Sequence, residues 1–263
     1  MKLLKNIVTR IMKNLLLFIL VLFCYTNIYS QTADEFVERG VSKYLLNDYK
    51  GAIIDYTKAI GINPSITEAY YFRGISKFDL QNYRDAILDY SKVIELKPDY
   101  AEAYFCRGIA YGELVDYRSA ILDFTKAIEL KTDYTDAYLG RGLSKFKNQD
   151  YRGSILDFTK AIELKPDSEE AYFNRGNSKA VLQDYSGSIL DFAKTIELSP
   201  YYVEAYYNKG HSKHELQDYR GAILDYTKAI EIKPDYAKAY CNRGISKAEL
   251  KDYRGAILDF TKA

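Results

Sequence analysis

The sequence predicts an all-α solenoid of antiparallel helix pairs, and three observations carry that prediction. Gly40, Gly74, Gly108, Gly142, Gly176, Gly210 and Gly244 recur every 34 residues. All five prolines, Pro64, Pro98, Pro166, Pro200 and Pro234, share one further column that only Thr132 interrupts. Within a period, apolar residues return at helical spacing, as in Tyr219, Ile223, Tyr226 and Ile230. A fixed period of this length marks a repeat architecture, in which no unit buries its apolar face alone and each stacks on its neighbours.

Numbered from Ala33, the units span 33–66, 67–100, 101–134, 135–168, 169–202, 203–236 and 237–263, the last stopping at its 27th position. The run Glu169 to Leu182 typifies the first helix of a unit and Asp218 to Glu231 the second. Only a short Asp-Tyr link such as Asp184-Tyr185 separates them, so the two helices must be antiparallel neighbours. Proline at position 32 cannot continue the second helix, and Asp99, Asp167 and Asp235 after it are expected to cap the next first helix. Glycine at position 8 falls in mid-helix, at a cost of about 1 kcal/mol relative to alanine. A second small column at position 20 (Ala52, Ala86, Ala120, Ser154, Ser188, Ala222, Ala256) offers the reason, with Gly176 expected to face Ser188 where paired helices cross.

Charge is just as periodic. Position 7 is Arg, except for Lys209, and position 11 is Lys, except for Tyr111, so like charges repeat four residues apart on one helix face. Position 23 is Asp in every unit: Asp55, Asp89, Asp123, Asp157, Asp191, Asp225 and Asp259. These aspartates are expected to pair with the position-7 arginines, whose stems would lie in the hairpin interface.

With aromatic residues at position 4 (Phe36, Tyr70, Tyr104, Tyr138, Tyr172, Tyr206, Tyr240), Tyr or Phe at position 24 and mostly Ala at position 27, residues 33–263 resemble the tetratricopeptide repeat, TPR. Positions 7 and 11 depart from that family's usual apolar residues. The resemblance implies a right-handed superhelical solenoid whose first helices line a concave groove for a protein or peptide partner. Carried onto this chain, the groove residues are Tyr71, Phe105, Leu139, Phe173, Asn174, Asn177, Tyr207, Asn208, His211 and Asn242. The Lys and Asn pair that grips a C-terminal carboxylate in TPR co-chaperones is missing from positions 5 and 9. On the second helices, position 22 is Ile54, Leu88, Leu122, Leu156, Leu190, Leu224 and Leu258, expected to be buried; exposed, it would be a convex apolar stripe.

Ahead of the repeats, Lys2, Lys5, Arg10 and Lys13 precede the apolar run Leu15 to Tyr25, and Ile28-Tyr29-Ser30 follows. This is the pattern of a secretory signal peptide over residues 1–30 with cleavage near Ser30, which predicts an exported, periplasmic or extracellular protein of bacterial type. An uncleaved membrane anchor, or a lipid attached at Cys24, is the alternative. Removing those four bases from 37 leaves 33 against 36 acids, a balance that argues against nucleic acid.

The search for chemistry is brief. Cys106 and Cys241 lie four units apart, too far for a disulfide in a stacked array. His211 and His214, with Cys241 nearby, are the only group with any resemblance to metal ligands, and no carboxylate column completes them. No catalytic residues, metal or cofactor are predicted, and the evenly spaced aspartates form a ladder, not an acid–base pair. The sequence therefore reads as a non-catalytic scaffold that binds a partner polypeptide. The competing reading is a self-associating structural protein of the cell envelope, using the convex leucines or the open C-terminal edge, where residues 250–263 are expected to fray or be covered.

Overall fold

The computed structural model describes residues 32–263. The expected signal segment, residues 1–30, lies outside the described residues. Two compact units are present, the first ending at Leu96 and the second running from Lys97 to Ala263, and each is a stack of helix hairpins. The first contains α1 (Ala33–Leu45), α2 (Tyr49–Ile62), α3 (Thr67–Asp79) and α4 (Tyr83–Leu96). The second contains α5 (Ala101–Glu113), α6 (Tyr117–Leu130), α7 (Thr135–Lys147), α8 (Tyr151–Leu164), α9 (Glu169–Val181), α10 (Tyr185–Leu198), α11 (Val203–Glu215), α12 (Tyr219–Ile232), α13 (Ala237–Glu249) and α14 (Tyr253–Phe260). Among the described residues there are no strands, and no helix is long and apolar enough to cross a membrane.

The turn inside each hairpin rests on a residue that composition hides. Asn47, Gln81, Val115, Gln149, Gln183, Gln217 and Lys251, all at position 15, have φ between 60° and 65°, although none is glycine. The left-handed residue lets two amides fold back on the ending helix, as where Asn47 N–H donates to the Tyr44 carbonyl (2.8 Å) and Asp48 N–H to that of Lys43 (2.9 Å). The next side chain then starts the second helix: the Asp48 carboxylate accepts from Gly51 N–H at 2.9 Å. Val115, a β-branched residue in this conformation, is the costly occupant of the column.

Between repeats the capping expectation fails. Asp99, Asp167 and Asp235 lie inside a β-turn, closed for example by Tyr100 N–H on the Lys97 carbonyl at 3.2 Å, so the cap falls one residue later. Of Tyr100, Ser168 and Tyr236, only Ser168 caps with its side chain, accepting from Ala171 N–H at 3.3 Å. The same turn survives at Thr132, where Tyr134 N–H reaches the Lys131 carbonyl at 3.2 Å without any proline.

The mid-helix glycines meet an aromatic ring first, and in repeat 6 the position-20 backbone as well, a Cβ on Gly210 standing 3.3 Å from the Ala222 carbonyl oxygen. A Cβ on Gly176 would stand 2.8 Å from the Phe192 ring, and each position-8 glycine is covered likewise by the aromatic residue at position 24 of its own repeat. The position-20 side chain also faces the next repeat: Ser188 Oγ bonds Ser212 Oγ, and Ser154 Oγ bonds Ser178 Oγ, both at 2.8 Å. The ring closes the hairpin, while the small residues at positions 20 and 10 let successive hairpins approach.

The arginine–aspartate pairing is realised in bidentate form. Arg175 Nε and Nη2 donate to Asp191 at 2.9 and 2.7 Å, and Lys179 Nζ adds a contact at 2.8 Å. Arg39–Asp55, Arg73–Asp89, Arg141–Asp157 and Arg243–Asp259 match it, Arg107–Asp123 keeps the two-nitrogen pair with Tyr111 in place of the lysine, and Lys209 with Lys213 serves Asp225. The guanidinium also lies over the position-4 ring, 5.5 Å from the centroid of Tyr172 in the case of Arg175. Four of these arginines reach a third partner in the preceding repeat, the hydroxyl of Thr57, Thr125, Thr159 or Thr227, at 3.0–3.1 Å. Where Lys209 replaces arginine, the matching residue is Ala193. The bonds from Arg39 hold the Asp55 carboxyl down at about 2, against the opposing effect of burial. At Asp259 burial pushes upward, but the bonds from Arg243 and Lys247 outweigh it and leave the group below its ordinary value.

Position 22 overturns an expectation. Ile54 is 55% exposed and Leu122, Leu156, Leu190 and Leu224 are each 71% exposed. The buried stripe of the second helices runs through positions 20, 23, 24 and 27, spaced at i, i+3, i+4 and i+7. At 100° per residue, position 22 lies about 200° from position 20, on the outer side.

Candidate interaction surface

In each first helix positions 5, 6, 9 and 12 lie on one face, and the ten expected groove residues, Tyr71 in the first unit and nine in the second, divide into three kinds. The aromatic residues at position 5 are half-buried and sandwiched. Phe105 packs on Phe124 (centroids 5.8 Å apart) and Tyr134 (4.9 Å); Phe173 packs on Phe192 (5.8 Å) and Tyr202 (4.7 Å). Tyr207 sits between Tyr226 and Tyr236, and Tyr71 lies against Phe72 and Tyr90. Phe105, Phe173 and Tyr207 thus join the first helix to the middle of its own second helix and to the residue that caps the next repeat, so they stabilise the stack as well as offering an edge to a ligand. Burial raises the phenol pKa of Tyr207, Tyr226 and Tyr236, which keeps the cluster neutral. Leu139 at the same position is half-buried.

The asparagines are partly spent on each other. Asn208 Nδ2 donates to Asn177 Oδ1 at 2.8 Å and Asn242 Nδ2 donates to the Tyr207 hydroxyl at 2.9 Å, each linking one repeat to the next. Asn174 borders an open recess of about 620 Å³ with Leu143, Phe173, Tyr201, Tyr202 and Glu170.

His211 is the most exposed of the ten in its surroundings, its side chain 49% accessible and its Nε2 3.8 Å from Glu215. It separates two smaller recesses. One, about 170 Å³, also has His214, Tyr226 and Asn242; the other, about 200 Å³, has Phe146, Asn177 and Phe192. The histidine pair does not converge on a shared point: His214 Nδ1 is engaged by Ser246 Oγ at 2.9 Å and its ring lies against Tyr219. No group of three metal-binding side chains occurs among the described residues.

One recess had no counterpart in the sequence reading. It lies between repeats 3 and 4, has a volume of about 270 Å³, and is lined by Gly108, Gly112, Tyr117, Phe124, Gly140 and Leu143, among others. Its signal was in the sequence as the single glycine in each of two columns: Gly112 at position 12, which is Phe78 and Phe146 in the adjacent repeats, and Gly140 at position 6. The surface as a whole offers shallow apolar recesses at successive repeats with amides and charged groups beside them. That is chemistry suited to holding a polypeptide, with side chains entering the recesses.

Comparison with known proteins agrees with this geometry. Profiles described as TPR repeat match residues 74–115 and 210–251, and profiles described as tetratricopeptide repeat match 139–203, 37–66 and 101–134. Among solved structures, YrrB, described as a TPR protein with an unusual peptide-binding site, is similar at 26% identity and TM-score 0.63, over 70% of this chain and 95% of that one. MamA matches at 25% identity and TM-score 0.62, over 65% and 94% of the two chains. A tetratricopeptide repeat protein from Parabacteroides merdae reaches TM-score 0.68 at 20% identity, over 89% and 92%, and shares the fold. No curated protein matches the sequence. The period, the paired helices and the matched segments together make this chain a member of the tetratricopeptide-repeat family.

Proposed function

We propose that the protein is a non-catalytic interaction scaffold that holds a partner polypeptide in extended form along the first-helix face, within the segment Lys97–Ala263. The observation that carries this reading is where the repeats differ. The columns that build the stack are nearly constant, whereas position 9 runs Val41, Ile75, Ile109, Leu143, Asn177, His211, Ile245 and position 12 runs Tyr44, Phe78, Gly112, Phe146, Ala180, His214, Ala248. Side chains that vary on this face while the stack-building columns stay constant make each recess different, as recognition of a heteropolymer requires. The peptide-binding site named for YrrB supports the same use of the fold. The basic and apolar leader at residues 1–30 supports export of the scaffold, which mass measurement of the N-terminus of the mature protein tests.

The test is selection of displayed random peptides on the full chain. Peptides retained by the wild type are expected to be lost with Leu143→Glu and with His211→Glu, and kept with Leu190→Glu. Leu143 is 41% exposed and borders two recesses, so the charge acts on binding more than on folding. Loss with Leu190→Glu alone would move the working surface to the outer leucines and overturn the proposal.

A further inference from the structure

In four repeats the ring at position 12 leans on the tyrosine that opens the second helix: Tyr44 on Tyr49 (5.3 Å), Phe78 on Tyr83 (5.1 Å), Phe146 on Tyr151 (5.3 Å) and His214 on Tyr219 (5.1 Å). Repeat 3 has the tyrosine, Tyr117, and Gly112 where the ring belongs. The recess of about 270 Å³ described above occupies that place.

The two glycines that open it have different causes. A Cβ on Gly140 would come 2.7 Å from the Phe124 ring, so packing demands glycine there. A Cβ on Gly112 would meet nothing within 4 Å. Packing makes no such demand at Gly112, and a helical glycine costs about 1 kcal/mol relative to alanine. Alanine is what repeats 5 and 7 carry at this position, as Ala180 and Ala248. Repeat 3 thus forgoes helix stability and a ring–ring contact, and the result is an open apolar recess with an aromatic wall. A cavity of about 150 Å³ lined by apolar side chains suffices to take up benzene.

We infer that this recess is a docking subsite for one aromatic side chain of the bound polypeptide, Phe or Tyr, whose ring takes the place on Tyr117 that Phe78 and Phe146 take on their own tyrosines. The inference rests on the first-helix face being the peptide-binding surface. Ring on ring, edge-to-face or offset, is the geometry the other repeats display, and it discriminates an aromatic from an aliphatic side chain of similar area.

Two measurements on the full chain separate this subsite from the wider reading. In the first, the amide resonances of Gly108, Gly112 and Gly140 are followed while N-acetyl-phenylalanine amide or N-acetyl-alanine amide is added. The phenylalanine compound is expected to shift these amides and the alanine compound to leave them in place. Gly112→Phe, which supplies the missing ring from within, should raise the melting temperature and remove the response of Gly108 and Gly140. No shift in the wild type overturns the proposal, whatever the behaviour of the variant. In the second, peptides selected on the wild type are expected to share an aromatic residue and to bind Gly112→Phe about tenfold or more weaker. Equal binding to both proteins overturns the subsite and leaves the groove reading standing. Glycine shifts with no peptide ever retained overturn the peptide as occupant, and the groove reading with it.

Discussion

Positions 22 and 23 of the second helix are adjacent in sequence and equally regular, yet their environments are the reverse of their polarity. The aspartates at 23 are 0–6% exposed, while the leucines and isoleucine beside them are 55–71% exposed. Helix phase decides this, since position 23 shares the buried stripe with the alanine or serine at 20 and the aromatic residue at 24. Burial of the charge is tolerable because six of the seven carboxylates receive two cationic partners, and Asp123, where Tyr111 replaces the lysine, receives the Arg107 guanidinium; in six repeats a guanidinium binds through two nitrogens. Regularity along a repeat chain therefore reports that a position has a constant environment, without saying which environment it is.

The largest expected effect breaks the buried column. Asp191→Ala strands Arg175 and Lys179 in the interface without a counter-charge and should cost about 3–5 kcal/mol, measured by urea unfolding. Leu190→Gln, one residue away, should stay within about 0.5 kcal/mol of wild type. Similar losses for the two would refute the contrast between positions 22 and 23. Acid should come next. The folded-state pKa of Asp55 is about 2, below the ordinary value, so its pairing contributes fully above about pH 4 and fades as pH falls towards 2. A melting temperature that holds steady from pH 5 to pH 2 would contradict the ladder as a source of stability.

Smaller effects sharpen the picture. Lys209→Arg together with Ala193→Thr rebuilds at repeats 5 and 6 the rung that Arg243 and Thr227 form at 3.0 Å, and should add about 1 kcal/mol. Each single change should give less than half of it, a coupling that a double-mutant cycle reads directly. Val115→Asn relieves a β-branched residue at φ 63° and should raise stability by up to about 1 kcal/mol, visible as a higher melting temperature. Replacing Gln149 by Asn in the same way should change little, because its side chain is unbranched at Cβ.

By itself the sequence determined the hairpin, the period and the ion pairs. Helix starts at Ala33, Thr67, Ala101, Thr135, Glu169, Val203 and Ala237 follow the 34-residue spacing, and two complementary charge columns 16 residues apart leave one pairing to make. These are local or constant-offset properties, repeated often enough to be read in one dimension. The groove face was legible in part, since the position-5 columns and the asparagines do lie on the first helices, but not their engagement with neighbouring rings and amides. What only the tertiary structure decided is what each side chain meets across helices. Gly176 lies under the Phe192 ring, the leucines at position 22 face outward, and Gly112 opens onto nothing while Gly140 abuts a ring. The physical reason is that burial and vacancy depend on the angle and distance between packed helices. Spacing along one chain gives the phase of a helix but not the atoms opposite it.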